Sequence, residues 1–335
     1  MNIKATYIYA KAKIAQAIIQ LFFAYCYDFR RFIKYSNTFN TDGNSNKLRA
    51  TIILNYHVIE KGLTMSEMKL GFGQEKISYL CKKCTDFIRH YGNNDNQVNN
   101  AIQILETYLL VHEQNNFKLP ESIIKKIKQT ITLKEENIIS TLNYEEKTID
   151  CKTIKTAPFP VFAKSRKSIR NFSNKNIELK TIEKAITNAQ TSPSACNRQP
   201  ARIHIYSEKD LVAKILSLQN GNRGFGHLSN KLIIVSCDLS GYKTHNERNS
   251  CWVDGGIYLM NLLYGLHYEG IGTCILNWSV DKKRDLSLYK IANIPKQESI
   301  IAIIACGYPK EGSKTAFSLK KDAHEVSTFH NNKND

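Results

Sequence analysis

Residues 250–276, SCWVDGGIYLMNLLYGLHYEGIGTCIL, contain the longest helical pattern of the chain, followed directly by a strand pattern. The part from Asp254 to His267 is apolar on nearly every side, which is typical of a helix buried against a sheet and against a second subunit. Glycines follow the helix, as they do at helix C-caps, and residues 272–276 then form a short apolar run. This arrangement predicts helices layered on a sheet.

The same alternation of helix and strand extends to both sides of this stretch. Helical periodicity and short apolar runs predict three further helices and three further strands: helices at 181–190, 209–218 and 282–292, and strands at 202–206, 231–237 and 299–306. The predicted fold class is therefore α+β, a layered sheet domain with flanking helices.

The first 150 residues show helical periodicity and no strand pattern. Helices are predicted at 7–32, 52–60, 74–91, 96–115 and 121–131. The sequence then becomes polar and proline-punctuated, which marks a connection between domains. We therefore predict an all-helical N-terminal region over residues 1–150, a linker over 151–162 and the sheet domain over 163–330.

The chain is strongly basic, with 335 residues and a formal net charge of +17. A positive surface attracts anions, either nucleic acid or a phosphorylated cofactor, and a lysine-rich composition would by itself leave a solvated basic surface. Neither a helix-turn-helix pattern nor a basic ribbon with interleaved aromatic residues is present. No nucleic-acid partner is expected.

The nine cysteines have no regular spacing, which favours free thiols in a reducing, cytoplasmic compartment. Cys81 and Cys84 form a single CxxC pair. One pair supplies half of a tetrahedral zinc site, so these residues are predicted to share a helix face in the core, with redox use as an alternative. No metal site is expected.

Residues 7–34 are rich in apolar and aromatic side chains and carry lysine or arginine near both ends, including Lys11, Lys13 and Arg30. The uninterrupted apolar run is too short to span a bilayer. We expect this helix to pack on its own domain or on a partner subunit. The alternative is peripheral contact of residues 7–34 with an anionic membrane surface.

Residues 165–172, SRKSIRNF, bring three cations and two hydroxyls together immediately before a helix. Arginine makes bidentate charge-assisted bonds with phosphate, and serine adds short-range donors. The segment could therefore hold a phosphate and an electron-rich ring, or it could be a basic surface loop.

Residues 191–200, TSPSACNRQP, form a loop between a helix and a strand. Small residues allow a planar ligand to approach the backbone. The amides of Asn197 and Gln199 can donate and accept hydrogen bonds, as the pyrimidine edge of a flavin requires. An isolated loop of this kind is more often only a turn, but here one helix separates it from the basic segment.

Two further segments complete the pattern: EGIGTCILNW at 269–278 and IIACGYP at 303–309, the latter followed by Lys320 and Lys321. The four segments, in this order and spacing, resemble the nitroreductase family of FMN enzymes over residues 163–326. The matches are Arg-x-Ser-x-Arg at Arg166–Arg170, Ser-Pro-Ser-x-x-Asn-x-Gln-Pro at Ser192–Pro200, Asp-x-Gly at Asp254–Gly256, Gly-x-Gly-Thr-Cys at Gly270–Cys274 and Gly-Tyr-Pro at Gly307–Pro309.

The resemblance implies a nitroreductase-like fold and a set of FMN contacts. In it, Arg166 and Ser168 hold the phosphate and ribityl end, and Arg170 lies near the N1/O2 edge of the ring. Backbone N–H groups near Leu276 and Asn277 face the flavin N5. The family's terminal arginine is replaced by Lys320, which keeps the charge but loses the bidentate geometry. The full set of implied cofactor-binding residues is Arg166, Lys167, Ser168, Arg170, Pro193, Ser194, Asn197, Gln199, Leu276, Asn277, Gly307 and Lys320.

The implied activity is that of an FMN-dependent NAD(P)H oxidoreductase, a homodimer with flavin at the subunit interface and residues from both chains in each site. Hydride would pass from NADH or NADPH through flavin N5 to a small acceptor, so no catalytic side chain is assigned. Arg198 or Tyr308 could orient the acceptor. The alternatives are a specialised flavin enzyme of surface-polysaccharide or nucleotide-sugar biosynthesis, and a non-catalytic basic binding protein of the same fold.

The N-terminal region contains HVIEKGL at 57–63 and GFG at 71–73. His57 and Glu60 are three residues apart on one predicted helix face, so they could pair with each other or point to an active site. Local capping and packing is the favoured interpretation. Both signatures resemble extensions of nitroreductase-like proteins associated with bacterial surface-polysaccharide synthesis.

Overall fold

The computed structural model describes residues 3–35, 45–133 and 155–330. The chain divides into two compact units. The sheet unit comprises residues 1–40 and 146–313, and the helical unit comprises residues 41–145 and 314–335. Residues 151–154 of the predicted linker lie outside the described residues, and helix α6 begins at Phe159.

The sheet unit is built on a four-stranded antiparallel sheet with strand order β1-β2-β4-β3. The strands are β1 (Ala201–Tyr206), β2 (Lys231–Asp238), β3 (Gly272–Asn277) and β4 (Glu298–Gly307). Strands β2 and β4 are nearly continuous runs of Ile, Val, Ala and Cys and are buried along almost their whole length. Their apolar character on both faces explains why they occupy the centre of the sheet.

Helices flank this sheet: α6 (Phe159–Ser165), α7 (Leu179–Ala189), α8 (Lys209–Ser217), α9 (Ser250–Tyr268) and α10 (Lys282–Ala292). Helix α9 packs on α7 and on the sheet, and its residues Leu262, Leu263 and Leu266 belong to the core. A side chain at Gly265 would meet the carbonyl oxygen of Ala185 at 2.7 Å. The glycine therefore allows the two helices to approach closely. The outer side of α9 exposes Trp252, Val253 and Ile257.

Helix α1 (Ile3–Tyr35) also belongs to the sheet unit. Both guanidinium N–H groups of Arg248 donate to the carboxylate of Asp28, at 2.9 and 3.1 Å, and link α1 to the turn before α9. The apolar side chains along α1 are largely exposed, with Phe22 and Phe23 at 63% and 65%. None of the helices in the described residues is both long and apolar enough to cross a membrane.

The helical unit consists of α2 (Ser45–Leu63), α3 (Gln74–Tyr91), α4 (Asn96–Gln114), α5 (Glu121–Ile131) and the short α11 (Ala323–Val326). Its core is formed by the apolar stripes of the first four helices, and Cys81 and Cys84 both lie in it. Their common position on the inner face of α3 confirms the prediction of a shared, buried helix face.

The two N-terminal signatures pack together inside this unit. A side chain at Gly62 would collide with the ring of Phe72, and the carbonyl of Phe72 accepts a hydrogen bond from Tyr108. Glu60 is buried, lies 3.2 Å from Nδ1 of His57 and accepts the backbone N–H of Ser318 at 2.8 Å. Glu60 therefore links the C-terminal segment to α2.

The α+β fold class and the helical region are confirmed, and most element bounds differ from the predicted ones by one or two residues. The bounds differ more where the periodic pattern of apolar residues is weak. Helix α2 begins at Ser45, seven residues before its predicted start, and α6 begins at Phe159, within the predicted linker.

Candidate functional site

The basic segment Arg166–Phe172 lies along the edge of the sheet, beside β3. Ser168 forms a parallel bridge with Thr273, and the N–H of Ile169 donates to the carbonyl of Thr273 at 2.9 Å. At its far end Phe172 forms an antiparallel bridge with Pro309. The structure thus brings together three of the four sequence motifs: the basic segment, the glycine strand and the Gly-Tyr-Pro turn.

Two glycines make this close approach possible. A Cβ at Gly272 would lie 2.9 Å from Ile169 and 3.0 Å from Pro309, and a Cβ at Gly307 would lie 2.8 Å from the ring of Phe172. Real Cβ contacts are longer, so these positions accept only glycine without rearrangement. Gly307 consequently supports the basic segment through packing.

The two arginines of the segment are partly buried. Burial lowers the pKa of Arg166 from its ordinary value. Nε of Arg170 is buried and has no hydrogen-bond partner in the described residues, and its guanidinium lies 5.9 Å from the ring of Phe225. A buried guanidinium nitrogen without an acceptor is costly, so this arginine is suited to receive an anionic or carbonyl-bearing ligand.

A buried histidine anchors the start of the segment. Oγ of Ser165 donates to the carbonyl of Phe162 at 2.7 Å and lies 2.8 Å from Nε2 of His267, at the end of α9. Burial, reinforced by the positive charge of Arg166, lowers the pKa of His267 to about 4. His267 is therefore neutral at pH 7, which allows a cation to lie beside it.

The loop 191–200 has an unusual backbone. Cys196, Asn197 and Gln199 all have positive φ, at 52°, 54° and 50°. Residues other than glycine adopt this left-handed conformation infrequently, and clusters of such residues occur at ligand sites. The side chains of Asn197 and Gln199 are exposed, so their amides are accessible to a ligand.

Asp254 holds this loop from α9. Its buried carboxylate accepts the N–H of Ala195 at 3.1 Å and the hydroxyl of Tyr242 at 2.9 Å. Burial, together with the hydrogen bond to Asp254, raises the pKa of Tyr242. Pro193, Ser194 and Gln199 line a cavity of about 230 Å³ above Asp254. The Asp-x-Gly motif thus positions the loop.

Contacts of Arg198 also hold the loop 191–200 in place. Arg198 forms an ion pair with Glu247, and its guanidinium lies 5.3 Å from the ring of Tyr242. This pair lowers the pKa of Glu247 to about 2, and the N–H groups of Lys243 and Thr244 contribute to the shift. Arg198 is therefore committed to a structural pair, which weakens its assignment as an acceptor-orienting residue.

The loop 191–200 contacts α9 through Asp254 and Asn261, and the start of the basic segment contacts it through His267. Asp254 and His267 are about 20 Å apart along the helix. The structure therefore brings Arg166, Ser168, Arg170 and Gly307 together, whereas Pro193, Ser194, Asn197 and Gln199 form a separate group in the same chain.

The remaining predicted residues are distributed as follows. Leu276 and Asn277 end β3, where the carbonyl of Asn277 accepts a hydrogen bond from Gln219 at 3.1 Å. Lys167 lies within the basic segment. Lys320 is exposed and belongs to the helical unit, so its contact with a phosphate stays a prediction.

Sequence reasoning missed the segment 219–225, which contacts both β3 and Arg170. In this polar, glycine-rich loop, Gln219 is 6% exposed and Phe225 is fully buried. That burial cannot be read from the sequence. The loop carries no motif that would mark it in advance.

The nitroreductase family profile matches residues 163–223 of this chain. An Archaeoglobus fulgidus protein named "Putative NADH dehydrogenase/NAD(P)H nitroreductase" is 28% identical over 153 residues, which cover 44% of this chain and 83% of that protein. An iodotyrosine deiodinase from Haliscomenobacter hydrossis is 25% identical over 200 residues, covering 51% of this chain and 88% of the relative.

Among solved structures, a nitroreductase family protein from Streptococcus pneumoniae aligns with a TM-score of 0.46 and 20% identity, covering 52% of this chain and all of the other. An FMN-dependent nitroreductase from Clostridium difficile aligns with a TM-score of 0.42 and 19% identity, covering 50% and 96%. The basic segment and the loop 191–200 both fall inside the residues that the family profile matches.

Proposed function

We propose that this chain is an FMN-dependent oxidoreductase that passes hydride from NADH or NADPH to a small acceptor. The observation that carries the proposal is the assembly of Arg166, Ser168 and Arg170 beside β3, with an unpartnered guanidinium nitrogen on Arg170. Relatives named as NADH dehydrogenase/NAD(P)H nitroreductase support the same activity.

The described residues fit FMN on chemical grounds. Arg166 and Ser168 offer a charge-assisted donor and a hydroxyl to the phosphate and ribityl groups. Arg170 would stabilise negative charge on the ring, and the exposed amides of Asn197 and Gln199 would pair with polar edges. Bound FMN would supply the hydride-transfer chemistry at N5. The residues of this chain would bind and orient the cofactor and stabilise negative charge on its ring.

We further propose that the site is completed in a homodimer. Within one chain the part of the loop that carries Asn197 and Gln199 is held by Asp254, about 20 Å along α9 from His267, which holds the basic segment. The exposed side of that helix carries Trp252, Val253, Ile257 and Met260, and an apolar surface of this kind is typical of a subunit interface. A twofold arrangement would bring the loop of one copy to the basic segment of the other.

The experiment is purification followed by absorbance spectroscopy and anaerobic titration with NADH and NADPH. We expect a yellow protein whose flavin absorbance is bleached by one of the two. In Arg170→Gln, FMN should bind at least tenfold more weakly, because a charged donor is lost. Lys180→Gln, exposed at the start of α7, serves as the control. A colourless protein that does not bind added FMN would overturn the proposal, and so would unchanged FMN affinity in Arg170→Gln.

A further inference from the structure

A cavity of the sheet unit lies outside the residues assigned to the flavin. It has a volume of about 920 Å³ and opens between α8, the loop 222–230 and the turn 173–176. This volume falls within the range of small-molecule sites. None of the predicted cofactor-binding residues lines it.

The lining of this cavity is cationic and polar. Lys209, Arg223 and His227 lie around it, and no aspartate or glutamate occurs among the described residues that line it. Asparagine and serine side chains supply most of the remaining polar surface. A cavity with cations and without carboxylates attracts an anion, and amides and hydroxyls are suited to bind the hydroxyl groups of a ligand.

A buried lysine lies behind the cavity wall. Lys231 is 5% exposed, and its Nζ donates to Oδ1 of Asn176 at 3.2 Å and to Oγ of Ser207 at 3.1 Å. Both acceptors are neutral and both line the cavity. No carboxylate pairs with Lys231 in the parts of the chain that the structure describes. Burying a lysine without a counter-ion is costly, and an anion in the cavity would offset that cost.

Part of the lining is apolar. Val212, Ala213 and Leu216 of α8 contribute it, and they present hydrocarbon of the kind that packs against the carbon face of a sugar ring. The cavity therefore combines cationic and hydrogen-bonding groups with apolar surface.

We infer that this cavity is a second binding site, separate from the flavin site, for a phosphorylated small polyol such as a sugar phosphate. Arg223 and Lys209 bind the phosphate at the mouth, Lys231 supplies positive charge through Asn176 and Ser207, and α8 packs against the sugar ring.

The test is calorimetric titration of the FMN-loaded protein with ribose 5-phosphate, inorganic phosphate and ribose. Ribose 5-phosphate should bind most tightly, phosphate more weakly, and ribose alone below detection. Arg223→Gln should weaken ribose 5-phosphate binding about tenfold or more, because one charge-assisted bond is lost. Lys231→Gln should have a similar effect. Lys214→Gln, exposed on α8 and away from the lining, should bind as the unaltered protein does.

Arg223 lies on an exposed loop, so its variant should fold even if Lys231→Gln does not. The inference fails if neither phosphate compound binds, or if the affinity of ribose 5-phosphate is the same in Arg223→Gln. It also fails if Arg223→Gln loses FMN, since the cavity would then serve the flavin.

Discussion

At the scale of single residues, His267 couples the basic segment to pH. It is buried beside Arg166 and its pKa falls from 6.5 to about 4, so the folded chain stays deprotonated at this position between those two values. The unfolded chain binds a proton in the same window. The contribution of His267 to the free energy of unfolding should therefore be fully present above pH 6.5 and decrease as pH falls toward 4.

We predict that this decrease amounts to about 2 kcal/mol after allowing for solvent screening, and that His267→Gln removes it. Urea unfolding at pH 7 and pH 4.5 measures the effect. Tryptophan fluorescence reports on the sheet unit, because Trp252 and Trp278 both lie there. His324→Gln, on an exposed residue, is the control and should keep the full decrease. A pH dependence that is identical in His267→Gln and the unaltered protein would contradict the assignment.

At the scale of elements, the attachment of the basic segment to β3 depends on space as much as on hydrogen bonds. In Gly272→Ala the new methyl group would meet Ile169 and Pro309 at about 3 Å. We predict a loss of about 1–3 kcal/mol in unfolding free energy, together with weaker FMN binding, because Arg166 and Arg170 would shift. Gly241→Ala is the matched control, since its methyl group would meet only Pro200, at an ordinary 3.5 Å.

Urea denaturation of both variants measures the loss of unfolding free energy, and a flavin titration of both measures the change in FMN affinity. Equal stability in Gly272→Ala and Gly241→Ala would show that the segment tolerates displacement from β3.

The elements themselves were largely predictable, because long periodic stretches such as α9 and the continuous apolar runs of β2 and β4 leave few alternatives. The chemistry of the basic segment was readable from its residue types. Its bridge with Thr273 was not, since strand pairing between residues 168 and 273 depends on tertiary contacts that no local pattern carries. The left-handed backbone at Asn197 and Gln199 could not be predicted from the sequence either, because neither residue requires that conformation.

At the scale of the whole molecule, we propose that two copies of the chain build each flavin site. Asp254 and His267 lie about 20 Å apart along α9, and each holds one of the two groups of residues proposed to bind FMN. The C-terminal segment groups with the helical unit, and a hydrogen bond joins the N–H of Ser318 to the buried Glu60, 258 residues away in sequence. No spacing in the sequence predicts that contact.

The account is tested most directly by mixing two defective variants, Arg170→Ala and Asn197→Ala, each expected to bind FMN poorly as a homodimer. If each flavin site takes its basic segment from one copy and its loop from the other, a mixed dimer contains one fully native site. Random exchange of equal amounts should then restore about one quarter of the flavin sites, measured by FMN content after subunit exchange is verified by native mass spectrometry. No recovery of flavin in verified mixed dimers would contradict the account, because it would place both residues in a site formed by one chain.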